Sequence, residues 1–288
     1  MKKTLVLLSI PLLLSGCGQE KQCPQCPECE PIPVPETINY EIISVQPFYT
    51  DLLDRCKDDT KIPFPAGVEH ESDIIIEGGK NLSKSLNNVS YKDENILKDK
   101  VIGKDTFKLF GKNQIIQFQS HGEYVDEWTH SIMITGGDYI EDEISKEDEE
   151  RIIKAEMPNP KSVYYYSAIT SKFVEAYCPD ITGSIVYMGQ CHGGHDYALA
   201  TAFLEKGAVA VYGSSLQIQM HYGDMMQYRV TSLLGEINPN TKNYYTTGEA
   251  LKKAQSEYGV DDSVLYEGGA MGARMILFGD PNFRLANK

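Results

Sequence analysis

Gly183-Ser184-Ile185-Val186-Tyr187-Met188-Gly189-Gln190-Cys191-His192-Gly193-Gly194 decides the architecture of this chain. Ile185 to Met188 is a short apolar run bounded by glycine on both sides, the pattern of a strand buried on both faces. It delivers Cys191 into a turn that Gly193 and Gly194 leave conformationally free. Asp196 then reads as the N-cap of a helix from Tyr197 to Lys206, with Leu199, Ala202 and Phe203 on one face and Gly207 as the stop. Val209 to Tyr212 returns as a strand. Strand, turn, helix and strand make a βαβ unit, so the chain is α/β, with a mostly parallel sheet and helices on its faces. Sites in such sheets gather outside the carboxyl ends of the strands.

A second run upstream ends in the same manner. Ile115-Ile116-Gln117-Phe118-Gln119-Ser120 leads into His121-Gly122, so two buried strands each drop one reactive side chain at their carboxyl ends. Cys191 is the candidate nucleophile and His121 the candidate general base. A cysteine just before a helix N-terminus is expected to have a depressed pKa, and glycine at 122 permits the close backbone approach that an oxyanion site requires.

Further strands are expected near Ile74 to Ile76, Ser131 to Ile134, Val163 to Tyr166 and Arg274 to Phe278, with a helix from Ala168 to Tyr177. Asp93 to Lys104 and Asn238 to Gly248 read as surface connections. Gln190, Ser214, Ser215 and Leu216 are expected to border the cleft between the two reactive side chains. Trp128 is placed equally well in the cleft wall or against the sheet edge.

The N-terminus carries a different signal. Lys2 and Lys3 precede the apolar run Leu5 to Leu14, and Leu14-Ser15-Gly16-Cys17 follows it. The run is short for a bilayer span, and the order of basic, apolar and small residues is that of an export signal. It resembles bacterial lipoproteins, which implies cleavage before Cys17, lipidation of that cysteine, and a protein held on a membrane of the bacterial cell envelope. Residues 1–16 are then a signal peptide and 17–38 a tether, rich in cysteine (Cys23, Cys26, Cys29) and proline (Pro31, Pro33, Pro35). Zinc in the tether lacks a fourth ligand; disulfides suit an oxidising compartment better. Cys56 and Cys178 read either as buried thiols or as halves of a bridge.

Residues 39–288 remain for one α/β domain. The formal net charge of −14 argues against a nucleic-acid partner, which needs basic patches. The acidic runs Glu141 to Glu143 and Glu147 to Glu150 read as a solvated helix start, with a structural calcium site as the other option. Cys191, His192, His195 and Asp196 admit a transition-metal reading, although neighbours on a tight turn seldom point at one centre. His70, His130 and His221 show no partner pattern.

His-Gly at one strand end and cysteine at a later one is similar to the caspase, gingipain and clostripain clan of cysteine peptidases. Ala202-Phe203-Leu204, then Gly207 to Ser215, and the closing Leu277-Phe278-Gly279-Asp280-Pro281 resemble the gingipain side. The resemblance spans Ile74 to Leu285 and implies a caspase-like α/β/α sandwich acting on peptide or protein substrates without a cofactor. Carried over, it makes Cys191 the nucleophile, His121 the general acid and base, and the backbone N–H groups of Gly122 and Cys191 the oxyanion hole. Two departures stand out. The interval from His121 to Cys191 is long for the clan, so an elaboration beside the site is expected. Clostripain-like members carry aspartate two residues before the nucleophile, where this chain has Gly189, which leaves a basic-residue preference unsupported. A non-catalytic peptidase-like binding scaffold is the competing reading.

Overall fold

The computed structural model describes residues 37–51, 62–125, 130–159, 162–262, 265–266, 269–270 and 272–286. The signal peptide and tether, Cys17, Cys56 and Trp128 lie outside the described residues. In chain order the elements are β1 (Tyr40–Gln46), α1 (Ile74–Ser85), β2 (Val89–Ser90), β3 (Ile96–Lys98), α2 (Lys104–Phe107), β4 (Gln114–Gln119), β5 (Gly122–Val125), β6 (His130–Asp138), β7 (Ile152–Asn159) and β8 (Ser162–Ile169). After them come α3 (Ser171–Tyr177), β9 (Ile185–Gly189), α4 (Ala198–Glu205), β10 (Ala210–Ser214), α5 (Met220–Leu233), α6 (Thr247–Tyr258), β11 (Leu265–Tyr266), β12 (Gly269–Ala270) and β13 (Met275–Gly279).

Seven strands form the central sheet in the order β13-β10-β9-β4-β1-β2, with β3 also paired to β1. All neighbours are parallel except β13, which closes the β10 edge antiparallel. Alternation along the strands fills two cores. Ile42, Ile115, Ile185, Tyr187 and Tyr212 point towards α1, α5 and α6, whereas Ile43, Ile116, Phe118, Val186, Met188 and Val211 point towards α2, α3 and α4. Burial on both faces is why these strands read as nearly continuous apolar runs. The result is a three-layer α/β/α sandwich with a mostly parallel sheet, the class that the βαβ signature predicts.

The long interval between β4 and β9 holds a separate antiparallel sheet, β5-β6-β8-β7, followed by α3. This is the elaboration beside the site. Its own small core gathers Phe48, Ile132, Ile134, Ile153, Ala155 and Ala168.

Several local expectations are corrected. Ile74 to Ile76 begin α1, not a strand: the helix is gripped from two sides, so a run of β-branched residues is buried there regardless of strand propensity. A Cβ on Gly78 would come within 3.0 Å of the Tyr228 backbone in α5, and one on Gly79 within 3.3 Å of Ile42 in β1. Ala168 and Ile169 belong to β8, where they pair with β6 and β7, and the helix starts only at Ser171. Asp93 to Lys104 contains β3, paired to β1, and Asn238 to Gly248 runs into α6, whose start is fixed by a capping box of Thr246 and Glu249.

The acidic runs are solvated as expected, except for one residue, but they start no α-helix. Glu141–Glu143 is a 3-10 turn, and Asp148 is buried, bound by Lys104, Ser145, Arg151 and Tyr177. Burial alone would raise its pKa, yet these hydrogen bonds hold the carboxyl far below the usual carboxylate range.

Candidate active site

β4 and β9 are adjacent and parallel, and their last paired residues are Gln119 and Gly189. Gln119 and Gly189 lie on the sheet face covered by α5: the side-chain amide of Gln119 donates to Asp224, and a Cβ on Gly189 would sit 2.9 Å from the Gln227 side chain. His121 and Cys191 stand two positions beyond these residues, Cys191 after a bend in which Gln190 N–H donates to Met188 O at 2.9 Å, and Cys191 packs on the core that faces α5. Both line one cavity of about 280 Å³ at the carboxyl edge of the sheet.

The turn after β9 is held from below. His192 N–H donates to Leu216 O at 3.0 Å and Gly194 N–H to Ser214 O at 2.8 Å, which ties the Cys191 loop to the end of β10. His192 takes φ of +57°, the left-handed region. The ring of His121 meets Phe48 edge-on, with centroids 4.9 Å apart, and the His121 carbonyl accepts from Ile134 N–H at 2.9 Å.

Gly122 opens β5 directly against the nucleophile loop. A Cβ there would stand 2.4 Å from Cys191 O and 2.9 Å from Gln190 Cγ, so glycine is needed first for contact between the two strand ends. Gly189 is equally constrained: a Cβ would fall 2.4 Å from Phe118 O, which excludes any acidic side chain at that position.

The thiol of Cys191 lies close to Ile218, whose N–H and carbonyl are each 3.5 Å from Sγ. Burial pushes the thiol pKa up; the Ile218 N–H pulls it down without offsetting the burial. The expected depression is thereby corrected. The first helix after Cys191 in the chain begins only at Ala198, and the backbone that touches the sulfur, Ile218, instead precedes Gln219, the N-cap of α5. Asp196 stands one residue outside α4, whose N-cap is Tyr197. Its carboxylate accepts from Ala198 N–H and from Ser131 N–H in β6.

Of the residues expected at the cleft, Gln190 and Ser214 line the cavity, while Ser215 and Leu216 stand behind it. Ser215 Oγ accepts from Arg274 N–H, and Leu216 packs on the apolar core. Sequence reasoning missed Ile218, Met220, Asp224 and Met275, which also line the cavity. Met220 and Asp224 lie on α5, Ile218 just before it, and Met275 in β13, at the start of the strand expected from Arg274 to Phe278.

The metal-like cluster does not converge. His195 Nδ1 is 2.8 Å from Ser215 O, Asp196 is turned towards backbone N–H groups, and among the described residues no three His, Cys, Asp or Glu side chains gather as a metal site. Burial lowers the His192 pKa, with His195 nearby adding to the effect. His221, which showed no partner in the sequence, is buried 3.5 Å from Glu71, and His130 lies 3.7 Å from Asp196. Cys178 is a buried free thiol, pushed up to about 12 by burial.

No protein-family model matches the chain, and no curated protein matches it in sequence. Among solved structures it is similar to the crystal structure of the Arg-specific cysteine proteinase gingipain R, at 13% identity and a TM-score of 0.47. That match covers 86% of this chain and 47% of the other, so the chain spans less than half the length of the protein it matches.

Proposed function

We propose that this protein is a cysteine peptidase of the caspase, gingipain and clostripain clan, hydrolysing peptide bonds with Cys191 and His121, and held on a bacterial envelope membrane by lipid on Cys17. One observation carries the catalytic reading: a cysteine and a histidine from the carboxyl ends of adjacent parallel strands line the same cavity.

Because the resting thiol is neutral, proton transfer accompanies attack. His121 takes the Sγ proton as the sulfur adds to the scissile carbonyl, then gives it to the leaving amine. The N–H groups of Gly122 and Cys191 receive the oxyanion. Water, deprotonated by His121, hydrolyses the thioester and frees Cys191. Substrates are peptides or proteins, and no cofactor enters these steps. The lipid reading rests on Leu14 to Cys17 and the proline-rich stretch behind them.

The raised thiol pKa favours a second reading, a binding scaffold in which Cys191 is an inert buried thiol. Turnover of a mixed peptide library by wild type, Cys191→Ala and His121→Ala separates the two. The peptidase reading expects losses of roughly 10³-fold or more in both variants; activity retained in Cys191→Ala removes Cys191 as nucleophile, and activity absent from the wild type favours the scaffold.

A further inference from the structure

The cavity beside Cys191 continues to a buried acid that the reaction steps leave unused. Its walls include Met188, Met220, Met275 and Ile218, and Asp224 on α5 stands at its inner end. Methionine walls are pliable and suit an unbranched apolar stem. Gly223 leaves room: a Cβ there would meet nothing closer than Ile218, at 3.8 Å. Asp224 is 2% exposed, and its Oδ2 accepts from Gln119 Nε2 at 2.5 Å. Among the described residues no cation pairs with it. A carboxyl buried without a cation is neutral, and Glu71, buried nearby, further opposes a negative charge there. Asp224 therefore offers one O–H donor together with carboxyl oxygen acceptors.

We propose that this cavity is the cleft's side-chain subsite, that it takes an uncharged, unbranched side chain ending in a carboxamide, glutamine foremost, and that Asp224 is the specificity-determining residue. The inference rests on the peptidase reading for its assignment to a substrate cleft. A carboxamide accepts from the acid O–H and donates to a carboxyl oxygen, so both partners are satisfied and no charge is buried. A lysine or arginine head would have to ionise Asp224 beside Glu71 and lose its own hydration, costs that a buried ion pair seldom recovers. A wholly apolar side chain would offer the carboxyl no polar partner in the cavity.

The test is calorimetric titration of the Cys191→Ala protein with peptides that differ only in one side chain: Gln, Lys, Arg, Leu or Ala. Glutamine is expected to bind at least about tenfold more tightly than the others, since sites built to pair a polar group reject side chains that lack it. Asp224→Asn in the same background keeps a donor and an acceptor, and should keep the preference. Asp224→Leu should abolish it. Gly223→Ala, which puts a methyl group into the cavity without touching the acid, should weaken the glutamine peptide and spare the alanine peptide.

Preference for Lys or Arg that Asp224→Asn destroys overturns the proposal. So does a profile indifferent to Asp224 and Gly223, or no binding of any peptide. Wild-type hydrolysis, measured separately, keeps the two readings apart. Cleavage without a glutamine preference refutes this inference alone, while glutamine-selective binding without cleavage refutes the peptidase reading alone.

Discussion

Gly122 lies so close to Cys191 that a Cβ at position 122 would stand 2.4 Å from the Cys191 carbonyl oxygen. β5 and β9 belong to different sheets, and this contact is where the antiparallel sheet meets the carboxyl edge of the parallel one. Because the obstacle is backbone, no rotamer change relieves it. Gly122→Ala is expected to separate the strand ends, lowering stability by about 1–3 kcal/mol through overpacking. Activity should fall by roughly 10²-fold through misplacement of His121 relative to Cys191. Thermal melting and kcat/KM measure the two effects, and unchanged kcat/KM would show that the contact does not set catalytic geometry.

The raised pKa of the Cys191 thiol gives a pH signature. Thiolate is the reactive form, so alkylation of Cys191 by iodoacetamide should be slow at pH 7 and still climbing above the ordinary thiol range of about 8.5. Cys178, raised to about 12, should remain unlabelled throughout. A Cys191 rate that levels off near pH 6 to 7 would instead reveal a preformed thiolate and imidazolium pair.

The βαβ unit from Ile185 to Tyr212 was legible because its strands are buried on both faces and glycine punctuates it. Parallel pairing of β4 with β9 is also what brings His121 and Cys191 to one edge of the sheet. The Ile74 to Ile76 run misled because three consecutive β-branched residues look like a strand by themselves; the helical period shows only over the whole of α1, where Ile74, Ile75, Gly78, Gly79 and Leu82 are buried and Glu77, Lys80 and Lys84 lie on the more exposed side. Asp224 was invisible as a site residue since nothing local distinguishes one aspartate on a helix from another. Its meaning comes from Gln119, more than a hundred positions earlier, and from the cavity they share. The reading of Cys191 as a low-pKa thiol failed because the depth of its burial is a tertiary fact.

Asp148 couples the acidic loop to α2 and α3 through Lys104 and Tyr177. A carboxyl whose folded pKa is depressed stabilises the fold above its unfolded pKa of about 3.9, and that contribution disappears as pH falls through the lower folded value. Asp148→Asn should therefore lower the melting temperature at pH 7 by roughly 2–10 °C, the equivalent of about 1–3 kcal/mol for a broken buried network. The gap between wild type and variant should narrow as pH drops below about 4. A gap that stays constant down to pH 2 would mean that the charge on Asp148 contributes nothing.

Lipid anchoring is testable apart from catalysis. Cys17→Ser removes the acceptor sulfur in Leu14-Ser15-Gly16-Cys17 and leaves residues 39–288 untouched. The variant should leave the membrane fraction while its peptide turnover is unchanged, because the anchoring proposed above depends on acyl chains at Cys17. Tight membrane association of the variant would assign anchoring to the apolar segment itself.

Phe48 is the residue most exposed to refutation as a positioning group for His121. Its ring sits edge-on to the imidazole at 4.9 Å and edge-on to Tyr166 at 5.5 Å, so it stands between the candidate base and β8. The turn that carries it is clamped as well. Gly136 in β6, at φ of +81°, approaches Pro47 so closely that a Cβ would fall 2.6 Å from the proline Cβ. Phe48→Leu keeps an apolar side chain but loses the flat ring that limits His121 to one orientation. It should lower kcat/KM by roughly tenfold, mostly through kcat, because orientation of the base matters chiefly in the transition state. A purely structural role would lower the melting temperature and leave the acid limb of the pH profile in place. Displacement of that limb, with KM nearly constant, is the result expected if Phe48 acts through His121.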